Sequence, residues 1–431
     1  MTEVTVILIV SLVFLVLMIA GLWIPVAITV AALVYILLES GWTGLNALGL
    51  VSWGSMYNFT LTSIPLFILM AELLLVTGLS DRIYRGLSRL VVRLPGGLLQ
   101  TNIAGCAIFA AISGSSVATA AAIGSVALPQ LKARNYDSAI SSGTLAAGGT
   151  LGILIPPSIA MIVYGTFTET SISKLFMAGV LPGLLLVLLF MLYVGVRASL
   201  QPSIAPRDAM ADEPFQWRET ANDLLPFVAL ISLVMGSLYS GLATPTEAAA
   251  FGACLAAIIC LIWGNLSFAT LRTALAKTVR LSGSILFIVY AAYLLSYAIG
   301  MAGLADELVE LVRSWQLSYL GLLLVVIVLY TILGCIMDSI GMMVITVPIL
   351  HPVLLSYGVD PLWFGVALVV LIEIGQITPP LGLNLFVVQG ISGTPLGNVI
   401  RGCVPFYLLL YLLLGLLVAF PAIVLWLPGG M

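Results

Sequence analysis

Two prolines in succession occur twice in apolar surroundings: in Gly152, Ile153, Leu154, Ile155, Pro156, Pro157, Ser158, and in Gly375, Gln376, Ile377, Thr378, Pro379, Pro380. Proline has no amide hydrogen and its ring collides with the carbonyl four residues back, so a doublet following a glycine unwinds a helix. The carbonyls set free are hard oxygen ligands suited to a small cation, and irregular backbone at membrane depth persists only where it is buried in protein or lines a cavity. A kink without a ligand is the alternative for one proline; recurrence of the doublet favours an ion or substrate site. A polar interruption precedes each doublet: Ser113, Gly114, Ser115, Ser116 before the first, and Asp338, Ser339, Ile340, Gly341 before the second. Hydroxyls, carbonyls and one carboxylate make a sodium-like donor set, expected where each interruption faces its proline break. The serines alone would also serve close helix packing through small residues. Asp338 differs, because a charge held mid-membrane has to be paired, ion-bound or protonated.

The elements that carry these groups are helices. Uncharged stretches over residues 4–38, 40–71, 94–131, 138–168, 175–196, 224–246, 248–271, 281–305, 314–337, 339–359 and 374–400 are continuous rather than alternating, which predicts an all-α integral membrane protein of roughly 10–12 transmembrane segments and excludes a β-barrel. Residues 94–131 are too long for one span, about 57 Å of helix against a core of roughly 30 Å. Arg93 flanks one end and Lys132 and Arg134 the other, so both ends lie on one face. This predicts a re-entrant hairpin over about 95–131 and, by the matching construction around Asp338, a second over about 315–352; two short spans joined by a polar turn are the alternative. The proline doublets place broken helices at about 139–168 and 361–392.

The two constructions are related. At an offset of 223 residues Pro129, Pro156, Pro157 and Pro182 fall on Pro352, Pro379, Pro380 and Pro405, and Gly152 falls on Gly375. Duplicated halves are a recognised transporter architecture. We expect N-terminal scaffold helices over 1–59, one repeat over 60–197, a linker and central scaffold over 198–280, and a second repeat over 281–431. After a shared Gly-Leu-x-Asp, the first copy continues with Arg82, Arg85, Arg89 and Arg93, the second with Glu307, Glu310 and Arg313. The positive-inside rule makes the first connector cytoplasmic and the second external, so the repeats are inverted.

Composition sets the outer bounds. The 431 residues are 61% hydrophobic with 15 basic and 18 acidic side chains, too few to cover a water-facing body of this size. The absence of basic clusters argues against nucleic acid. Five scattered cysteines and one histidine, His351, give no zinc, haem or disulfide framework, and no phosphate-binding loop occurs, so work has to draw on a gradient. The N-terminal apolar run, lacking a basic lead and a small-residue cleavage site, reads as a retained span. Glu72, Glu247 and Glu373 are further intramembrane acids, with Thr244 or Thr246 a candidate cap for the helix opening at Glu247. No paired aspartates, H-E-x-x-H or Ser-Lys dyad supports an enzyme.

At the two Pro-Pro motifs, the Ser113 to Ser116 tip, Met337, Asp338, Ser339 and the Thr244, Pro245, Thr246, Glu247, Ala248, Ala249, Ala250 segment, the sequence resembles the large membrane subunit (DctM type) of tripartite ATP-independent periplasmic (TRAP) transporters over essentially its whole length. The resemblance implies a bacterial inner-membrane, multi-pass protein with sodium-driven uptake by an elevator movement. It implies two partners besides lipid: a periplasmic substrate-binding protein (DctP type) and a small membrane subunit (DctQ type), the latter separate because 431 residues leave no room for a fused one. The sodium candidates are Ser113, Gly114, Ser116, Gly152, Pro156, Asp338, Gly341, Gly375, Thr378 and Pro379. The substrate-binding candidates are Ser115, Ser116, Pro157, Ser158, Asp338, Ser339, Pro380 and Asn384. Leu381 stands where the first copy has Ser158, so the two ion sites are expected to differ. The expected cargo is a small solute, an organic acid such as a C4-dicarboxylate; a stand-alone sodium/dicarboxylate symporter is the alternative.

Overall fold

A computed structural model describes residues 3–206 and 215–430; Arg207, Asp208, Asp212 and Glu213 of the expected linker lie outside the described residues. The chain opens with α1 (Glu3–Ile19), α2 (Ile24–Gly44), α3 (Leu48–Met56), α4 (Ser63–Val76) and a connector, α5 (Leu79–Val91). A hairpin follows, α6 (Leu98–Ser113) and α7 (Ser116–Ala133), then an interrupted helix, α8 (Ser138–Leu154) and α9 (Ile159–Thr168), then α10 (Ile172–Leu200). After α11 (Trp217–Tyr239) and α12 (Pro245–Trp263), α13 (Phe268–Ala302) leads to a second connector, α14 (Leu304–Ser314). The order then recurs: a hairpin, α15 (Tyr319–Gly334) and α16 (Ser339–Ser356), an interrupted helix, α17 (Pro361–Ile377) and α18 (Leu383–Ser392), and α19 (Leu396–Ala419), before the short α20 (Ala422–Leu425). No strand occurs among the described residues.

The recurrence is close. The first hairpin and interrupted helix have segments of 16, 18, 17 and 10 residues, and the second set has 16, 18, 17 and 10. Nine described helical stretches are long and apolar enough to cross a membrane, fewer than the sequence suggests; the apolar helices Leu8–Ile19, Leu98–Ser113, Pro361–Ile377 and Leu383–Ser392 are each too short by themselves.

Both hairpins fold back on themselves. In the first, Gly114 adopts a left-handed conformation (φ 59°) that ends α6, and Ser115 turns extended to cap α7. Ile123 packs beside Gly105, and the open ends meet where the Leu98 amide donates to the Tyr136 hydroxyl at 3.3 Å. In the second, Tyr330 and Thr346 are hydrogen-bonded between the arms, and the Tyr357 hydroxyl donates to the Val312 carbonyl at 3.4 Å near the open end.

The two interrupted helices run antiparallel. Near the end of α9 the Tyr164 hydroxyl donates to the Pro361 carbonyl at the start of α17 (2.7 Å). At the other extreme, Ser138, Ser141 and Ser142 of α8 share a cavity of about 680 Å³ with residues 391–395 at the end of α18. Bare glycine backbones permit the close packing around them: a Cβ at Gly402 of α19 would strike the Ala139 carbonyl of α8.

Outer helices frame this core. On α10, Leu184, Leu188, Leu192, Val196 and Leu200 recur every fourth residue and are 51–78% exposed, a stripe fit for lipid rather than water. Thr244 and Glu247 form a reciprocal capping box on α12, so the capping role is the one realised at Glu247. Glu72 of α4 lies 3.6 Å from Lys277 of α13. The basic face of α5 is tied to the start of α11: Asp223 accepts from Arg82 (2.9 Å) and Arg89 (3.0 Å), and Glu219 from Arg89 (2.8 Å).

The Asp223 side chain is 9% exposed and the Glu219 side chain 59%. Asp223→Asn should therefore cost on the order of 1–3 kcal/mol by leaving two partly buried guanidinium groups short of charge, and Glu219→Gln only about 0–1 kcal/mol. Thermal unfolding of the purified variants checks the ranking, and equal midpoints would contradict it.

Candidate functional site

Each hairpin tip is seated on the break of its own repeat. In the first, the Ile159 amide, just past the proline doublet, donates to the Gly114 carbonyl at 3.3 Å. A Cβ at Gly114 would come within 2.8 Å of the Pro157 carbonyl, and one at Gly152 would strike the Ser115 carbonyl, so both positions require glycine. In the second, the Leu381 amide donates to the Cys335 carbonyl at 3.2 Å, and Gly334 and Gly375 touch backbone to backbone.

The doublets have the expected effect on carbonyls. Pro156 and Pro157 cannot donate to the Gly152 and Ile153 carbonyls, and Pro379 and Pro380 cannot donate to those of Gly375 and Gln376. The Pro156-Pro157 and Pro379-Pro380 bonds are both cis. In the first break the Ser158 hydroxyl donates to the Ile153 carbonyl at 2.6 Å and accepts from the Met161 amide, capping α9. The second break has no such hydroxyl. Its cap is Gly382 (φ 48°), which takes the structural place of Ser158; the extra residue in this loop moves Leu381 off that position, correcting the alignment drawn from sequence. The Gly375 carbonyl is met instead by the Thr378 amide at 3.2 Å, while the Thr378 hydroxyl donates to Ile374 at 2.6 Å. The first break is buried; in the second, Pro379 is half-buried and Pro380 and Leu381 are exposed.

At the first tip the Ser113 and Thr119 hydroxyls lie 2.7 Å apart, and both are within hydrogen-bond distance of the Ser115 carbonyl, at 3.2 and 2.8 Å, so their two hydrogens are shared among these three contacts. Thr119, fully buried, belongs to this cluster and was not among the sequence candidates; its signal was its place one helical turn after Ser115. A hydroxyl that donates elsewhere keeps its lone pairs, so Ser113, Thr119, Ser158 and Thr378 remain competent cation ligands.

Asp338 is used differently from the sequence expectation. Its carboxylate caps α16, accepting from the Ile340 and Gly341 amides at 3.2 Å each, while the tip residues that touch the second break are Gly334 and Cys335. Ser339 is half-buried at the first turn of α16.

Ser116 and Asn384, from different repeats, come together. The Asn384 amide nitrogen donates to the Ser116 hydroxyl at 2.7 Å and to the Ala146 carbonyl of α8 at 3.1 Å. Asn384 is fully buried, and its carbonyl oxygen has no hydrogen-bond partner among the described residues. A buried amide that spends both hydrogens on protein and leaves its oxygen open presents an acceptor beside the Ser116 tip. The site thus offers carbonyl and hydroxyl oxygens at two tip–break junctions and, between them, one asparagine bridge. No lysine or arginine occurs between Arg134 and Lys174 or between Arg313 and Arg401.

Residues 11–423 match the family model of the tripartite ATP-independent periplasmic transporter, DctM component. The chain is 36% identical over 375 residues to the C4-dicarboxylate TRAP transporter large permease protein DctM of Pseudomonas aeruginosa, covering 86% of this chain and 87% of that one. It is 31% identical over 416 residues to the isethionate TRAP transporter permease protein DctMQ of Oleidesulfovibrio alaskensis, covering 96% of this chain and 65% of that one. In fold it is similar to the Alcanivorax borkumensis YdaH transporter, with a TM-score of 0.64 at 18% identity and 90% of each chain covered.

The Asn384 bridge can be weighed by a double-mutant cycle. Asn384→Ala and Ser116→Ala should each destabilise the chain, with a coupling of about 0.5–1.5 kcal/mol between them. Strict additivity in unfolding measurements would show that the two side chains do not meet.

Proposed function

Because the chain belongs to the DctM-component family of TRAP transporters, we propose that this large permease subunit carries out sodium-coupled, binding-protein-dependent import of a small solute by an elevator movement. The observation that carries the proposal is the pair of tip–break junctions, at which proline doublets release backbone oxygens against serine-bearing or glycine-bearing turns. These are hard, uncharged donors of the kind a sodium ion takes, and they stand where each helix is interrupted.

In this reading the ion at the first junction is held by oxygens of Ser113, Gly114, Ser116, Gly152 and Pro156, and the ion at the second by Gly375, Thr378 and Pro379 with the Asp338 to Gly341 turn nearby. The solute lies between, against Ser115, Ser116, Pro157, Ser158, Asp338, Ser339, Pro380 and Asn384. With no fixed cation in these segments, an anionic solute depends on the bound ions and on amide donors for compensation, which ties its movement to theirs. An organic acid fits this logic, and both relatives described above are named for anions, a C4-dicarboxylate and isethionate.

The antiparallel course of the two interrupted helices supports an inverted repeat, whose hairpins enter from opposite faces of a bacterial inner membrane. The moving unit would comprise α6–α9 and α15–α18, sliding against α1–α4 and α11–α13. Family membership supports a small DctQ-type membrane subunit against that scaffold and a DctP-type periplasmic protein delivering the solute.

Uptake by proteoliposomes carrying the membrane complex, with its binding protein outside, tests this. Ser116→Ala, and Asp338→Asn, which keeps the helix cap but removes the charge, should each raise the sodium concentration for half-maximal uptake several-fold. An unchanged sodium dependence in both, or full uptake without the binding protein, would contradict the proposal.

A further inference from the structure

We propose that Glu373, together with Thr150 and Gln376, forms a third cation site inside the contact between α8 and α17, apart from both tip–break junctions. The proposal deepens the sodium-coupled reading above and rests on it.

Glu373 stands within α17 and is fully buried. Neither of its carboxyl oxygens has a hydrogen-bond partner among the described residues. The Thr150 hydroxyl of α8 lies alongside the carboxyl, but its hydrogen is also directed to the Ala147 carbonyl at 2.8 Å, and it supplies no countercharge. A carboxylate without a donor or a countercharge is among the least stable groups a protein can bury, so something absent from the protein's own inventory has to compensate it. Arginine and lysine are missing from α8, α9 and the whole stretch between Arg313 and Arg401.

A second unsatisfied group lies on the same side of α17 by helical spacing. Gln376, one turn further along α17, is 4% exposed, and its side-chain carbonyl oxygen also lacks a partner among the described residues. Two carboxyl oxygens, one amide oxygen and the lone pairs of the Thr150 hydroxyl make an all-oxygen set containing one full negative charge, the donor chemistry of a hard monovalent cation.

The internal repeat explains the location. Thr150 and Glu373 are equivalent positions at the 223-residue offset, and antiparallel packing of α8 on α17 sets equivalent residues against each other at the centre of the molecule. At this locus the hydroxyl comes from one repeat and the carboxylate from the other. The first junction uses neutral donors and the second has Asp338 engaged with its own helix end, so at Glu373 a bound cation would cancel a formal charge that no protein group meets.

The test is a sodium titration of the purified full-length chain by calorimetry, with choline keeping ionic strength constant. Glu373→Gln should bind one sodium ion fewer per chain than the natural protein. Thr150→Val should keep the stoichiometry but weaken one ion several-fold. Melting in sodium-free buffer establishes that each variant is folded, and should Glu373→Gln fail to fold, Thr150→Val decides: unchanged affinity for every ion overturns the site. A folded Glu373→Gln with the natural stoichiometry and affinities, as a carboxyl neutralised by a proton predicts, also overturns it while leaving the junction sites standing. If the natural chain binds no sodium, the sodium-coupled reading falls and this site falls with it.

Discussion

A backbone carbonyl that loses its helical donor far from water must find another partner, and the rest of this molecule is arranged around that requirement. Proline doublets remove donors from Gly152, Ile153, Gly375 and Gln376 in the middle of two helices. The protein repairs only part of the deficit. Ser158 satisfies Ile153 and Thr378 satisfies Gly375, while each turn that could seal its break approaches through glycine backbone: Gly114 and Gly152 on one side, Gly334 and Gly375 on the other. The glycines at these contacts bring oxygens within range of one another, where side chains would hold them apart.

Packing and function follow from the same geometry. Antiparallel interrupted helices give each repeat's break a turn of its own, and Asn384 links the second repeat to Ser116 and Ala146 of the first. The two breaks are not alike. One is buried and closed by a serine cap, whereas the other has an exposed Pro380 and Leu381 and a glycine cap, so an ion or solute placed at the two breaks would meet different surroundings. Around this core the ion-paired α5–α11 contact and the leucine stripe of α10 supply a lipid-compatible frame.

Much of this was legible in the sequence because its signals were local and strong. Proline has one mechanical effect on a helix, so the doublets located both breaks, and the 38-residue span of 94–131 was too long to be anything simple. The 223-residue offset anticipated a recurrence that the matching segment lengths display. What the sequence hid depends on loop lengths and side-chain direction. One added residue shifted Gly382, not Leu381, onto the place of Ser158, and Asp338 turned its carboxylate to its own helix end, where two backbone amides were nearer partners than the break. Thr119 was overlooked because a threonine in an alanine-rich helix looks like packing until its hydroxyl is seen on the Ser115 carbonyl. The meeting of Ser116 and Asn384, 268 positions apart, is a property of the tertiary fold alone.

The central claim, that oxygens released by the proline doublets hold cations against the hairpin turns, is tested most directly by crystals grown with thallium replacing sodium and measured for anomalous scattering. The account predicts one peak at the junction of Gly114 and Ser115 with Gly152 and another at the junction of Gly334 and Cys335 with Gly375. Well-ordered density at both breaks with thallium bound only elsewhere would contradict it.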